Sequence, residues 1–245
     1  MPSTPLDSAL FRDMFGTPGM RAVFSDEALV SRYVEVEVAL ARAEARCGII
    51  PAKAAEAIAA AGAGAAFDWP RLKAETDNVG YPILAIVHQL AEQAGEAGRY
   101  VHWGATTQDI MDTASVLQVR AALDLVGADI EVLRGILADL AARHRDTPMA
   151  GRTHLQQALP VTFGYKVAIW LAAMDRHAER LEQLRPRVLV GQFAGAAGTL
   201  ASLGEDGFRV QEAFCEELSL GQPVVTWHVA RDGLAEAVAF LGLVT

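Results

Sequence analysis

The chain is 245 residues long, with a formal net charge of -9 at pH 7 and 52% hydrophobic but only 7% aromatic residues. The acidic balance argues against nucleic acids and anionic membranes as partners, and no run of about 18 apolar residues could span a bilayer. Many alanines and few aromatic residues favour packed helices over sheets. We therefore expect an all-α fold. The N-terminus lacks the basic and apolar regions of a signal peptide, which favours the cytoplasm.

Helices are predicted over most of the first hundred residues. Helix-start signals stand at Ser25, Pro51 and Pro82. Two acidic residues follow the hydroxyl cap, and this first helix is expected to cover about residues 26–47. The stretch that begins near Trp69 and includes the run ETDNVGYP, which contains Asn78, is predicted to be a loop.

Two longer helices follow. Over residues 107–140 apolar residues recur at helical spacing without a proline, which gives about 35 residues and roughly 50 Å of helix. A second long helix is predicted to begin at Pro160 and to end near residue 184, and no segment has a strand pattern. Helices of this length favour a bundle. We expect an N-terminal helical domain in residues 1–105 and a long-helix bundle domain in residues 106–245.

The sequence closes on the apolar run GLAEAVAFLGLVT, which has no helix cap. Two long helices cannot cover each other's apolar faces alone, so they require partners from other chains or from further sequence. We therefore expect these residues to be part of a longer protein, with an incomplete bundle domain.

Polar segments beside the long helices hold the candidate chemistry. In VHWGATTQDIMDTA, Thr106 and Thr107 stand where a helix begins, and the free N–H groups and dipole of a helix N-terminus favour an anion such as a carboxylate. Plain N-capping explains the same two residues. His102 and His154, the latter in GRTHLQQALPVTFG, each fit an ordinary loop histidine as well as a functional one.

Other chemistries lack their sequence patterns. No His-x-x-x-His or paired-cysteine spacing suggests a metal, and there is no Gly-x-Ser-x-Gly elbow or phosphate-binding loop. The glycines of GQFAGAAGT, residues 191–199, do not follow a strand, so they lack the context of a dinucleotide fingerprint. Close helix packing explains them as well. We expect neither a metal nor an organic cofactor.

Taken together, the segments resemble those of the fumarase/aspartase superfamily. VHWGATTQDIMDTA is similar to its first signature segment in the branch of adenylosuccinate lyase and 3-carboxy-cis,cis-muconate cycloisomerase. GRTHLQQALPVTFG resembles the second segment, and GQFAGAAGTLASLG resembles the glycine loop that follows. The resemblance implies elimination of a group β to a carboxylate of a small substrate, or the reverse addition. It also implies a homotetramer whose long helices share one bundle and whose active sites each draw on three subunits.

The resemblance also implies roles for individual residues. His154 becomes the general acid/base, a task that suits an imidazole because its ordinary pKa lies near neutrality. Thr106 and Thr107 become ligands of a substrate carboxylate. The other residues expected to contact the substrate are Asn78, His102, Thr153, Gln156 and Trp227.

Departures from the family patterns favour the cycloisomerase branch. Where the nucleotide lyases have an Arg-Tyr pair for a phosphate, this chain has Met14 and Phe15. Their second histidine is replaced in the run Thr76-Asp77-Asn78-Val79, and the run WHVARD resembles the Trp-His of the cycloisomerases. Some cycloisomerases, however, have tryptophan at the position of His154. We expect a cycloisomerase-like enzyme. The alternatives are an adenylosuccinate-lyase-like or other fumarate-releasing lyase and a non-catalytic helical scaffold.

The third signature loop of the superfamily, Gly-Ser-Ser-x-Met-Pro-x-Lys-x-Asn-Pro, does not occur in this sequence. The resemblance implies that this loop supplies the serine base and further substrate ligands. The chain is therefore expected to be inactive by itself.

Overall fold

The computed structural model describes residues 4–245, which form α-helices and one two-stranded antiparallel sheet. In chain order these are α1 (Arg12–Phe15), α2 (Pro18–Val23), α3 (Asp26–Arg46), α4 (Ala52–Ala63), α5 (Trp69–Val79), α6 (Ile83–Ala94), α7 (Thr107–Arg143), β1 (Pro148–Thr153), β2 (Gln156–Thr162), α8 (Phe163–Val188), α9 (Gly207–Glu217) and α10 (Asp232–Val244). Short 3₁₀ turns lie at Gly95–Tyr100 and Ala201–Asp206. The predicted helical fold is confirmed. None of the helices in the described range combines the length and apolar character of a membrane span.

Most helix starts follow the signals in the sequence. The Ser25 hydroxyl accepts a hydrogen bond from the backbone N–H of Ala28 at 3.1 Å, and α3 ends at Arg46, within one residue of the prediction. Helix α7 has 37 residues, or about 55 Å at the usual rise per residue. Its expected length and unbroken course are confirmed.

The predicted loop around Asn78 is wrong, because Trp69 and Asn78 both belong to α5. The Asp68 side chain caps this helix by accepting from the N–H of Arg71 at 3.1 Å. Gly80, with φ +94°, ends it in the left-handed region. Pro70 lies in the first turn of this helix, which tolerates proline because its N–H groups have no helical partner.

The prediction that the chain has no strands is also wrong. Strands β1 and β2 form a hairpin, with Pro148 opposite Thr162 and Thr153 opposite Gln156. Pro160 therefore lies in β2, and α8 begins three residues later instead of at Pro160. A two-stranded sheet has only edge strands, and edge strands are where a sheet tolerates proline.

The first of two compact units contains the residues up to Ala121 and Arg187–Gly233. Its core joins α3, α6, α9 and the first turns of α7. Phe193 and Phe214 are fully buried there, with ring centroids 5.5 Å apart. This packing places the glycine loop that contains Phe193 against the start of α7.

The second unit contains Ala122–Pro186 and Leu234–Thr245. Within it α7 and α8 run antiparallel, as two ion pairs show: Arg185 pairs with Asp124 at 2.8 Å, and Arg134 pairs with Asp175 at 2.7 Å. These units divide the chain elsewhere than at residue 105, and the expected domain boundary stays a prediction. Several large apolar side chains of this unit are exposed: Val132, Leu133, Ile136, Tyr165, Ile169, Trp170, Val238, Leu241 and Leu243.

Candidate active site

Asp109, in the first turn of α7, is a fully buried carboxylate around which the first unit's candidate residues are arranged. One oxygen, Oδ2, accepts the backbone N–H groups of Thr106 and Gly195, both at 2.9 Å. The other, Oδ1, accepts the N–H of Ala194 at 2.9 Å and contacts Nε2 of His228 at 2.8 Å. A single side chain thus joins the start of α7, the glycine loop and the segment before α10.

The hydroxyls of Thr106 and Thr107 are not used to cap α7. Asp109 reaches back to the N–H of Thr106, which is the acidic half of a capping box. Neither threonine hydroxyl makes a hydrogen bond within residues 4–245, and both residues are partly buried. The N-capping interpretation of these hydroxyls therefore has no contact to support it, and both groups are free to bind an anion at the N-terminus of α7.

The glycine loop is fixed to α7 by a second set of hydrogen bonds. Thr113 accepts the N–H of Gln192 at 2.9 Å and donates to the Gln192 carbonyl at 2.8 Å. Gly195 has φ +73°, and a Cβ there would lie 3.3 Å from the carbonyl oxygen of Gly104. A side chain would therefore be strained at this position. The loop and the turn that precedes α7 are held in direct proximity.

His102 lies in that turn with φ +64°, a conformation that is uncommon outside glycine. Its Nδ1 is 2.6 Å from Oε1 of Glu37, a carboxylate of α3 that is fully buried, whereas one fifth of the His102 side chain is exposed. Desolvation lowers the pKa of His102, but the charges of Glu37 and Asp109 and the hydrogen bond to Glu37 leave the pKa raised overall.

Trp227 uses both of its N–H groups inside the protein. Its backbone N–H donates to Oε1 of Gln192 at 2.7 Å and its indole N–H to the Gly191 carbonyl at 3.0 Å. The guanidinium of Arg231 lies 5.7 Å from the indole ring and also donates to Asp112 at 2.8 Å. Any contact of Trp227 with a substrate therefore has to use the ring and not the indole N–H.

His154 stands at the exposed tip of the β1–β2 hairpin in the second unit. The next residue, Leu155, has φ +53° and is 94% exposed. Thr153 and Gln156 flank the tip, and the Gln156 amide donates to the Thr153 hydroxyl at 3.1 Å. The hairpin thus brings these three predicted residues together at one projecting turn.

The other five predicted residues belong to the first unit. Thr106 and Trp227 are joined through Asp109 and Gln192, whereas the side chain of His102 is paired with Glu37. Asn78 is exposed in the last turn of α5, and its side chain makes no hydrogen bond within the described residues. The assignments of substrate contacts and of His154 as the acid/base remain predictions.

Asp109, Glu37 and Gln192 are not among the site residues that were predicted from the sequence. The spacing Thr106-x-x-Asp109 carries the signal of a capping box, which could have identified the aspartate. No local pattern indicates Glu37, whose partner is 65 residues away. Over residues 4–245, no group of three or more His, Cys, Asp or Glu side chains is arranged to hold a metal ion.

The chain is similar to known proteins over nearly its whole length. A family profile described as "Lyase" matches residues 14–245. The chain is 48% identical over 239 residues to a 3-carboxy-cis,cis-muconate cycloisomerase of Pseudomonas aeruginosa, covering 96% of this chain and 52% of the relative. It is 42% identical over 245 residues to an N-acetyl-S-(2-succino)cysteine lyase of Dickeya dadantii, covering 100% of this chain and 54% of the relative.

A solved structure shares both fold and sequence. The crystal structure of a fumarate lyase from Mesorhizobium sp. BNC1 is 62% identical and matches with a TM-score of 0.89, over 92% of this chain and 53% of that one. The chain spans about half the length of the curated relatives it matches. Its helical fold and these similarities show that the chain belongs to the lyase family of the fumarase/aspartase superfamily.

Proposed function

We propose that the whole protein is a cycloisomerase-like lyase that acts on a small polycarboxylate, with 3-carboxy-cis,cis-muconate as the first substrate to test. In the cyclising direction, a carboxylate oxygen of the substrate bonds to a carbon β to a second carboxylate, and the α carbon takes up a proton. Elimination is the reverse. Negative charge accumulates on the second carboxylate in both directions, so the enzyme has to stabilise that group most strongly in the transition state.

The observation that carries the proposal is the anion-receptive start of α7. Thr106 and Thr107 present hydroxyls without a hydrogen-bond partner in residues 4–245, next to the N-terminus of a 37-residue helix. Asp109 satisfies the N–H of Thr106 and holds the glycine loop beside it. Preorganised donors of this kind lower the energy of a developing carboxylate dianion without reorganisation during the reaction.

His154 is proposed as the group that transfers the proton. Its place at the tip of a projecting hairpin suits a residue that enters a site completed by another copy of the chain. The many large apolar side chains that the second unit exposes support such an assembly, because exposed apolar surface is what a protein–protein interface covers. A homotetramer with shared active sites is therefore part of the proposal.

Adenylosuccinate cleavage is the second candidate, favoured by the 42% identity to an adenylosuccinate lyase of Pyrococcus abyssi. Met14 and Phe15, where the nucleotide lyases have a phosphate-binding pair, are exposed apolar side chains. The nearby Arg21 is already engaged, because it donates to two carbonyls of its own turn and to Asp13 at 2.6 Å. Met14 and Phe15 offer no cation at the position of that pair, and we expect no release of AMP.

The experiment is an ultraviolet assay of the whole protein with 3-carboxy-cis,cis-muconate, adenylosuccinate and argininosuccinate, read at the absorbance of muconate or fumarate. His154→Ala is expected to lower kcat by about 100-fold or more with folding and assembly retained. His88→Ala, which removes an exposed histidine of α6 that is paired only with Glu75, is the matched control and should keep wild-type activity.

The outcomes separate the candidate functions. Turnover of the muconate that His154→Ala abolishes supports the proposal, and AMP release from adenylosuccinate would favour the nucleotide lyase. Wild-type kcat in the His154→Ala variant would remove this residue from the mechanism. A correctly assembled protein without activity on any carboxylate would favour the non-catalytic scaffold.

A further inference from the structure

Glu37 is a buried carboxylate that belongs neither to the two signature segments nor to the glycine loop. It lies on α3, and its side chain is fully shielded from solvent. Its oxygen Oε1 contacts His102 Nδ1 at 2.6 Å, and Oε2 has no hydrogen-bond partner among the described residues. An ionised carboxylate is costly to bury unless it is paired with a cation. Because a carboxylate only accepts, Nδ1 of His102 has to carry the proton of this contact.

The opposite ring nitrogen of His102 is not used by the protein. Nε2 makes no hydrogen bond within residues 4–245, although the side chain is only one fifth exposed. The turn of residues 101–104 that holds the ring packs against the glycine loop, where Gly195 lies close to the Gly104 carbonyl. It leads directly into Thr106 and the start of α7. His102 therefore lies four residues before Thr106, in the segment that leads into the threonine hydroxyls.

The charged groups around His102 favour its protonated form. Glu37 faces it from α3 and Asp109 acts on it from α7, and together they outweigh the desolvation that lowers its pKa. His228 contacts Asp109 and shares that carboxylate. Glu44, two turns beyond Glu37 on α3, is also fully buried, but desolvation, followed by the charge of Glu37, raises its pKa to about 9. Glu44 is thus neutral near pH 7 and adds no second negative charge.

We propose that Glu37 is a positioning residue that holds His102 as an imidazolium, so that Nε2–H donates to a carboxylate of the substrate beside Thr106 and Thr107. The ligand part of this proposal rests on the proposed function. A buried ion pair is weak evidence for a stabilising role, because an apolar replacement of similar size is often as stable. A functional role explains why the carboxylate is buried and its histidine is directed to the surface.

The test is calorimetric binding of tricarballylate, a saturated tricarboxylate, to the whole protein over a pH series and in buffers of different ionisation enthalpy. Wild-type protein should bind near neutral pH with little proton uptake, because His102 is already charged. Glu37→Gln keeps the shape but removes the charge. It should weaken binding by about 10- to 100-fold near neutral pH, take up close to one proton per site, and recover affinity as the pH falls. Glu44→Gln is the matched control and should behave like wild type.

A second measurement follows the His102 ring directly, by NMR titration of histidine labelled at Cε1. The chain has six histidines, and the His102→Gln variant identifies the resonance. Its pKa should lie above the ordinary value of about 6.5 in wild type and fall in Glu37→Gln. A weaker affinity that is the same at every pH, without proton uptake, would show a merely structural role and overturn the proposal.

The two readouts separate this inference from the proposed function. If wild-type protein does not bind tricarballylate, the polycarboxylate function fails together with the ligand part of the inference, while the ring titration still decides whether Glu37 holds the imidazolium. If Glu37→Gln does not fold, the wild-type titration decides alone. A His102 ring that titrates at or below its ordinary value would refute the proposal.

Discussion

Replacing Asp109 by asparagine should destabilise the protein strongly, because every orientation of the new amide faces hydrogen-bond donors. Oδ2 accepts two backbone N–H groups, from Thr106 and Gly195, both at 2.9 Å. Oδ1 accepts the N–H of Ala194 at 2.9 Å and contacts His228 at 2.8 Å. The Gln192 amide also donates to Oδ1 at 3.3 Å, so whichever oxygen becomes an NH₂ group, at least two donors lose their acceptor. At about 1–3 kcal/mol for each unsatisfied group, the expected loss is about 2–6 kcal/mol.

That loss is a large part of the free energy of unfolding of a typical domain, which is roughly 5–15 kcal/mol. Asp112→Asn, one turn along the same helix, is the matched control. Its Oδ1 accepts from Gln108 at 2.7 Å and Arg231 at 2.8 Å, while its buried Oδ2 has no partner within the described chain. An amide can therefore place its NH₂ at Oδ2 and keep both bonds, and the expected cost is about 1 kcal/mol.

Urea unfolding at one protein concentration, followed by far-UV circular dichroism and tryptophan fluorescence, measures both variants. We expect a much lower midpoint for Asp109→Asn, with a local change in fluorescence because Trp227 belongs to the same hydrogen-bonded network. The reasoning is refuted if Asp109→Asn is no less stable than Asp112→Asn, since the two differ chiefly in the number of donors left without an acceptor.

Two further predictions concern buried titratable groups. Burial, and then the charge of Glu37, raise the pKa of Glu44 to about 9. The folded protein therefore keeps a proton that the unfolded chain loses near its ordinary value of 4.5, and stability falls as the pH rises through this window. Glu44→Gln lacks this dependence. In urea unfolding, its free energy of unfolding relative to that of wild type should rise by about 2 kcal/mol between pH 6 and pH 8, at about 1 kcal/mol per pH unit. Parallel pH curves for the two proteins would contradict it. Burial, partly countered by a backbone hydrogen bond from Gly191, raises the pKa of the Cys215 thiol to about 12. A thiol reagent such as DTNB at pH 8 should therefore modify partly buried Cys47 in the native protein and Cys215 only after unfolding, and equal native rates would refute this.

The helices were predictable because their signals are local. The hydroxyl cap at Ser25 and the uninterrupted apolar period of α7 depend on neighbouring residues alone. The hairpin was not predictable in this way, because its strands carry polar residues without alternation and a proline at position 160, which normally demotes a strand. Its turn depends on the left-handed conformation of Leu155, and a leucine in the sequence does not predict that conformation.

The site was predictable only in part, for a related reason. Threonines at a helix start and a histidine in a polar run are visible in the sequence, and the family resemblance gave them roles. The residues that hold them lie far away in the chain: Glu37 is 65 residues from His102, and His228 is 119 residues from Asp109. Pairing over such distances is set by the packing of α3, α7 and the glycine loop, which no local pattern describes.

The arrangement of charges around the start of α7 is compatible with the proposed anion site, although the chain has a net charge of -9. Three carboxylates lie there, each paired with a group that can be positive: Glu37 with His102 at 2.6 Å, Asp109 with His228 at 2.8 Å, and Asp112 with Arg231 at 2.8 Å. In every pair the carboxylate side chain is buried, at 0%, 0% and 5% exposure, and its partner is more exposed, at 21%, 16% and 45%.

The acidic groups therefore face the interior and their partners face outward. An approaching carboxylate meets the outer groups, the threonine hydroxyls and the helix N-terminus before it meets any negative charge. In the proposed site, selectivity should therefore depend on the placement of donors more than on net charge. Neutralising one inner carboxylate should therefore alter ligand binding through the charge and orientation of its outer partner, which is the effect that the Glu37→Gln titration isolates.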